Sequence, residues 1–241
     1  MPTVSRLVLT RGIMRSLRSR WRNSRQLSNS WILPATARAL SERGRLKASA
    51  DGKSPGFPIP VFGGPHADTP IIGEAGHALG KLLTTMPISA VLDLGEMRKA
   101  EQARLVADVL DHLFTVNRDP LWLVLEEADA FAPQQPMSDM TRVLGEVDRI
   151  ARHGRNFGFR LISMTQRPAK LNKDVLTQLS TLIALGITSP QDRDAITAWV
   201  DGNADRDKAR DVYDSLAQLK VGEGWIWAPD HNLLILLCHF P

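Results

Sequence analysis

Short apolar runs alternate with amphipathic stretches along the chain from residue 57 onward. The apolar runs predict strands at Ile59–Phe62, Ala90–Leu94, Leu121–Leu125, Arg160–Met164 and Thr181–Leu185. Apolar residues at helical spacing predict helices at Gly73–Thr84, Glu96–Val116, Met137–Arg152, Asn172–Leu179, Asp192–Val200 and Asp205–Leu219. This alternation is typical of the α/β class, in which helices cover both faces of a mainly parallel sheet.

The end of the chain has a different pattern. Two apolar runs, 224–228 and 233–240, flank the turn-forming sequence Pro229-Asp230-His231-Asn232. We therefore expect an antiparallel β-hairpin at the C-terminal end.

Composition narrows the class of protein. The chain has 241 residues, 43% of them hydrophobic and 23% charged, which is ordinary for a globular protein. Its single cysteine, Cys238, excludes an intramolecular disulfide and fits a reducing cytoplasm. The longest apolar run, Leu233–Cys238, is too short to cross a membrane, so we expect no membrane segment.

The positive charge is concentrated at the start of the chain. Residues 1–47 contain ten Arg and one Lys against one acid, whereas the whole chain has a net charge of +4. We expect residues 1–47 to be a separate, disordered basic segment and residues 48–241 to be the folded core. The segment is compatible with a solvated tail, an arm that contacts nucleic-acid phosphates, or an Arg-rich transit peptide.

The strongest chemical signal follows the predicted strand Leu121–Leu125. Glu126, Glu127 and Asp129 come directly after this strand, and ligands bind outside the carboxyl ends of parallel strands. Carboxylates at such a position can hold hydrated Mg²⁺ and orient a water molecule. An ordinary helix-capping acid is the simpler alternative.

Later segments extend this signal in a fixed order. They are Gly-Arg-Asn-Phe-Gly-Phe at 154–159, Thr-Gln-Arg-Pro at 165–168 and Val-Leu-Thr-Gln-Leu at 175–179. Together with Leu-Glu-Glu-Ala-Asp-Ala-Phe-Ala-Pro at 125–133, this series resembles the HerA helicase/translocase branch of the HerA–FtsK P-loop ATPases. The resemblance covers Ser49–Pro241 and implies a RecA-like P-loop NTPase core.

The resemblance also implies roles for particular residues. Glu126 would support Mg²⁺ through water, Glu127 would polarise the attacking water, and Gln166 would sense the γ-phosphate. Arg155 would reach a neighbouring subunit's nucleotide as an arginine finger, with Arg152 as a second candidate. The residues alone also allow these two arginines to complement a helix C-terminus.

Asp93 ends another predicted strand. It could face the nucleotide cleft or cap a helix. The resemblance further implies ATP as the bound nucleotide, double-stranded DNA as the substrate, and a homo-oligomeric ring.

One expected motif is missing from the 241 residues. The phosphate-binding pattern G-x-x-x-x-G-K-[ST] has no match, because Gly52-Lys53-Ser54 is preceded five positions earlier by Lys47 and followed by Pro55. We therefore expect an incomplete core that lacks a central strand, exposes apolar surface, and is impaired in ATP hydrolysis. The alternative function is a non-catalytic module that binds nucleic acid through its basic arm or joins a ring of intact subunits.

Overall fold

A computed structural model describes residues 6–10, 59–65, 67–86, 88–201, 206–228 and 233–239. Most of the basic segment, the Gly52-Lys53-Ser54 sequence and the turn at 229–232 lie outside these residues. Within the described part, no helix is long and apolar enough to cross a membrane.

The main sheet has five strands in the order β2-β3-β1-β4-β5. They are β1 (Arg6–Thr10), β2 (Val61–Phe62), β3 (Ala90–Asp93), β4 (Leu121–Glu126) and β5 (Phe159–Met164). β2 is parallel to β3, β4 is parallel to β5, and β1 is antiparallel to both of its neighbours. The expected mainly parallel α/β architecture is confirmed, with one reversed strand at its centre.

The reversed strand β1 corrects the expectation of a gap in the core. Leu7 and Leu9 are fully buried in the large hydrophobic cluster, and Val8 is buried on the opposite face of the sheet. This alternation is the period of two that a strand buried on both faces requires. Three apolar residues thus fill the central position, although they stand at the start of an Arg-rich segment.

The described helices are α1 (Gly76–Thr85), α2 (Lys99–Val116), α3 (Thr141–His153), α4 (Lys173–Thr177), α5 (Pro190–Asp201) and α6 (Arg206–Leu216). The predicted apolar stripe of α2, formed by Leu105, Val109, Leu110 and Leu113, is fully buried in the large cluster. The smaller cluster on the other face joins Val8, Val61, Val91 and Val124. The partly buried residues packed against it are Ile59 and, from β5, Ile162 and Met164, so none of the described helices contributes to this cluster.

A second sheet is fully antiparallel, in the order β6 (Leu182–Ala184), β7 (Glu223–Ala228) and β8 (Leu233–His239). The β7–β8 pair confirms the predicted hairpin. The predicted strand Thr181–Leu185 forms as β6, but the expectation that it joins the parallel sheet is wrong. It pairs with β7, where Trp227 is buried edge-on against Trp199 with ring centroids 4.8 Å apart.

Candidate active site

The carboxyl ends of β4 and β5 bring two polar segments to one edge of the main sheet. The strands are parallel and stay in register up to Glu126, so the residues that follow them emerge side by side. Glu127 and Asp129 follow β4, and Thr165 and Gln166 follow β5. The structure therefore brings together three residues predicted for the site, Glu126, Glu127 and Gln166.

Glu127 and Gln166 are directly connected. Nε2 of Gln166 donates a hydrogen bond of 2.6 Å to Oε1 of Glu127. Glu127 has φ of 54° and ψ of 54°, and it is the one non-glycine residue with positive φ in the described part of the chain. A left-handed conformation costs roughly 1–2 kcal/mol for a residue with a Cβ. Such strain concentrates at functional sites, where the surrounding structure enforces it.

A second contact connects the same two segments. The hydroxyl of Thr165 donates to Oδ1 of Asp129 at 2.6 Å and accepts a hydrogen bond from the backbone N–H of Arg167 at 2.9 Å. Gln166 lies between Thr165 and Arg167, the two residues that this second hydrogen bond joins. The Asp129–Thr165 pair consequently fixes the loop that presents Gln166 to Glu127.

Arg6 lies beside this site, between two acids on neighbouring strands. Its Cα is in register with those of Asp93 on β3 and Glu126 on β4. Its guanidinium lies 3.4 Å from Oδ2 of Asp93 through Nε, and 3.5 Å from Oε2 of Glu126 through Nη1. The side chains of Arg6 and Asp93 are each 8% exposed, and that of Glu126 is 19% exposed. The row Asp93–Arg6–Glu126 is therefore a largely buried set of charges.

Burial has the largest effect on the pKa of both glutamates. Loss of solvent raises the pKa of Glu126; Arg6 opposes this rise, while Glu127 and Asp93 add to it by repulsion. Loss of solvent also raises the pKa of Glu127, against the hydrogen bond from Gln166 and with added repulsion from Asp129. Oε2 of Glu126 is buried and accepts no hydrogen bond within the described residues, because Arg6 is at ion-pair distance only.

Asp93 is held from two sides. Its Oδ1 accepts a hydrogen bond of 3.1 Å from the backbone N–H of Gly95, and its Oδ2 faces Arg6. The loop after β2 passes close by at Gly64, where φ is 76° and an added Cβ would lie 2.7 Å from Cγ of Asp93. Asp93 thus faces the candidate site, and Arg98 rather than Asp93 is the N-cap of α2.

The two candidate arginines lie elsewhere. Arg155 is exposed in the 3-10 turn Gly154–Phe157, which precedes β5, whereas Gln166 follows that strand. The length of β5 separates the two positions by about 17 Å, taking about 3.3 Å per residue. The structure does not bring Arg155 to Glu127 within one chain. Arg152 donates through Nε to both carboxylate oxygens of Asp148 at 2.8 Å, in its own helix.

Comparisons with known proteins find HerA helicases similar to part of the chain, although no family model matches it. The DNA double-strand break repair helicase HerA of Pyrococcus furiosus is 41% identical over 129 residues, covering 54% of this chain and 22% of that protein. A probable HerA of Methanocaldococcus jannaschii is 34% identical over 154 residues, covering 63% and 29% respectively. Over the matched residues the chain is similar in sequence to these HerA helicases. It spans less than a third of the length of either HerA relative.

Solved structures support the fold. The DNA-packaging ATPase B204 of Sulfolobus turreted icosahedral virus aligns with a TM-score of 0.50 at 15% identity, over 87% of this chain and 89% of that one. The sulfate complex of the B204 NTPase from virus 2 also has a TM-score of 0.50 at 15% identity, over 76% and 81%. At 15% identity these two likenesses concern the fold alone.

The Mg²⁺ that the HerA resemblance implies does not fit the described arrangement. A divalent ion between Asp93 and Glu126 would have to share the space that the guanidinium of Arg6 fills, and at about 4 Å from it would meet roughly 8 kcal/mol of repulsion at an effective dielectric constant of about 20, which cancels about half of the attraction of two carboxylates at that distance. Asp93 and Glu126, which would have to offset this repulsion, already share the charge of Arg6. Within the described residues, no three acidic, histidine or cysteine side chains form a metal-binding group.

Sequence reasoning missed Arg6, and it named Asp129 among the acids after the strand without giving it a role of its own. The signal for Arg6 is the alternating run Leu7-Val8-Leu9, which starts directly after it. The signal for Asp129 is its place three residues after Glu126 at the end of a buried strand. Neither signal identifies its partner, because both partners come from a distant part of the chain.

Proposed function

We propose that the chain supplies a HerA-type ATPase core to a ring that moves double-stranded DNA, and that the chain itself hydrolyses ATP slowly or not at all. The hydrogen bond between Glu127 and Gln166 carries the first part of this proposal. It places a carboxylate and an amide, the two groups that the resemblance assigns to water activation and phosphate sensing, within 2.6 Å at one sheet edge.

Three side chains would have different roles in hydrolysis. Glu127 would accept a proton from a water molecule, and its raised pKa makes the carboxylate a stronger base than an ordinary one. Gln166 would orient the same water or contact a phosphate oxygen. Arg155 would act on the site of a neighbouring subunit, since it lies at the other end of β5 from its own Glu127. An arginine supplied by a neighbour makes hydrolysis depend on assembly.

Two observations support impaired hydrolysis. The 241 residues contain no match to the phosphate-binding pattern whose backbone N–H groups and lysine hold a triphosphate. In addition, Arg6 occupies the space between Asp93 and Glu126. The HerA relatives are named as DNA repair helicases, and we extend ATP, double-stranded DNA and ring assembly to this chain on that basis.

Turnover measurements test impaired hydrolysis. We expect phosphate release by the purified chain, with and without double-stranded DNA, to stay at the no-protein background. The variant E127Q and the control E74Q, which removes an exposed acid outside the site, should give the same result. Turnover well above background that E127Q abolishes and E74Q retains would show a competent site and overturn the proposed impairment.

Measurements of assembly and of DNA binding test the proposed role as the core of a ring that moves DNA. We expect sedimentation of the chain with double-stranded DNA to show DNA-bound species larger than a monomer. A chain that stays monomeric and binds no DNA at any concentration would contradict the proposed ring translocase core.

A second candidate is a non-catalytic module that binds nucleic acid through residues 11–47. The excess of basic residues in this part of the chain favours it. Because Arg6–Thr10 is a central strand, the arm should be tested by neutralisation rather than by deletion. We expect the slope of log affinity against log salt concentration to become shallower when Arg15, Arg18, Arg20 and Arg22 are replaced with Gln. The change should be roughly 0.9 in the slope for each phosphate contact that is lost. An unchanged slope would remove this candidate.

A further inference from the structure

The first strand carries a charged residue into the centre of the sheet. β1 lies between β3 and β4, antiparallel to both, so its first residue stands at the edge where its neighbours end. Leu7 and Leu9 are fully buried behind Arg6. Packing of these two leucines therefore holds the guanidinium at the carboxyl ends of the neighbouring strands.

Two acids flank this position, and two more acids follow one of them in the chain. Asp93 and Glu126 flank Arg6 directly, and Glu127 and Asp129 follow Glu126 in the next turn. Arg6 is buried to the same extent as Asp93, so solvent screens their attraction only weakly. The guanidinium is thus the counter-charge of Asp93 and Glu126, which stand on the two strands beside β1.

We propose that Arg6 is a built-in cation that stands between Asp93 and Glu126 and excludes a divalent metal ion from these two carboxylates while β1 is in the sheet. We call this arrangement an intramolecular block. The side chain of Arg6 on β1 stands where a bound cation would otherwise neutralise Asp93 and Glu126. It does not depend on ATP hydrolysis by this chain, because it concerns access of a cation to two carboxylates. The block is released only when the charge of Arg6 is removed or β1 leaves the sheet.

A purely structural ion pair is the competing explanation, and it predicts a different result. If Arg6 only stabilises β1, its removal lowers stability and creates no new binding property. If Arg6 excludes a metal ion, its removal leaves two buried carboxylates without a counter-charge, and these acquire affinity for a hard divalent cation.

The test measures binding of Mn²⁺ alone to the full chain, by the electron paramagnetic resonance signal of the free ion. The parent chain should show no saturable site. R6Q, which keeps a polar side chain, shortens it and loses the charge, should gain one saturable site at least about tenfold tighter than any binding by the parent. Adding E126Q to R6Q should abolish it. R160Q, which removes an exposed arginine at the start of β5, should behave like the parent.

Several results would overturn the proposal. If R6Q folds and binds Mn²⁺ no better than R160Q, Arg6 is a structural residue only. If the parent chain itself binds Mn²⁺ at a saturable site that E126Q removes, Arg6 does not exclude the ion, and this result stands even where R6Q fails to fold. R6K keeps a charge at the same place and should remain without a site, so Mn²⁺ binding by R6K would also contradict the block.

Discussion

Gln166 donates a 2.6 Å hydrogen bond to Glu127 across the carboxyl ends of two parallel strands, although 39 positions separate the two residues in the sequence. Glu127 reaches this contact from a left-handed backbone conformation, with φ of 54°. The fold therefore holds a half-buried carboxylate against an amide donor. This relationship has consequences for protonation and for stability that do not depend on any ligand.

The amide of Gln166 lowers the pKa of Glu127 against the larger effect of burial, which raises it. The substitution Q166A removes the donor and leaves burial in place, so the pKa of Glu127 should rise further. A pH titration of the Glu127 carboxyl carbon by NMR measures this change. Q178A, which shortens an exposed glutamine outside the site, should leave the titration as it is in the parent. A lower or equal pKa in Q166A would contradict the described contact.

The raised pKa of Glu127 also predicts how stability depends on pH. Its folded pKa lies above its ordinary value of 4.5, so the folded state binds the proton more readily than the unfolded state does. The stability contributed by this group is complete below the unfolded pKa and is lost as pH rises through the folded pKa. The substitution E127Q removes this loss. We expect E127Q to be more stable than the parent near about pH 8, by less than about 1 kcal/mol because solvent screens a half-exposed group.

Urea unfolding at two pH values measures this difference. The advantage of E127Q should shrink as pH falls towards about pH 4, where Glu127 is protonated in both states. The control E74Q removes an exposed charge and should show no comparable trend. An advantage of E127Q that grows on acidification would mean that the folded pKa is lowered instead.

The site at β4 and β5 could be predicted from the sequence because its information is local. A buried apolar run sets the direction of each strand, and the polar residues that end the run must lie at the carboxyl edge. Glu126, Glu127 and Gln166 are found there for this reason. Their positions could be predicted without knowing which strands pair, because the parallel arrangement of the α/β class was enough.

Strand β1 could not be predicted in the same way. Its apolar run has three residues, Leu7 to Leu9, and the many arginines that follow make the segment resemble a solvated arm. Its place is decided by pairing with β3 and β4, which are more than 80 positions away in the chain. Composition averaged over residues 1–47 hides this short element.

For β6, the strand could be predicted from the sequence but the strand with which it pairs could not. The strand itself follows from its apolar residues, but its pairing with β7 depends on contacts between distant residues. Trp227 of β7 is fully buried against Trp199, and this packing fixes β7 beside α5. β6 joins the strand that this contact positions, so its membership of the second sheet is a tertiary effect.

The turn before β5 gives a prediction on stability with an internal control. Gly158 has φ of 88°, and an added Cβ would lie 2.8 Å from the carbonyl carbon of Asp119. G158A should therefore lower the free energy of unfolding by about 2 kcal/mol or more, through strain and a clash with backbone. Gly145 lies in α3 with nothing within 4 Å of an added Cβ, so G145A should raise stability by about 0.5–1 kcal/mol.

Urea unfolding of the two variants checks both signs. G158A also affects the segment that carries Arg155, since Gly158 ends its 3-10 turn. Equal effects of the two alanine substitutions would show that the close approach of Gly158 to Asp119 does not exist in solution.

The left-handed conformation of Glu127 can be measured without interference from its charge. E127A and E127G both lack the carboxylate and its contact with Gln166, so the difference between them reports the backbone alone. Glycine adopts positive φ at no steric cost, whereas alanine pays roughly 1–2 kcal/mol there. After the extra entropy that glycine loses on folding, E127G should be more stable than E127A by about 0.5–1 kcal/mol.

The same pair of substitutions at the exposed residue Met137 provides the control, because its φ of −72° and ψ of 162° are an extended conformation that any residue adopts. There, M137G should be less stable than M137A by about 0.5–1 kcal/mol, since glycine loses more freedom and gains nothing. The opposite signs at Glu127 and Met137 are the specific expectation, measured by urea unfolding. If glycine is the less stable residue at both positions, Glu127 does not hold a positive φ, and the turn that directs its carboxylate to Gln166 is formed in another way.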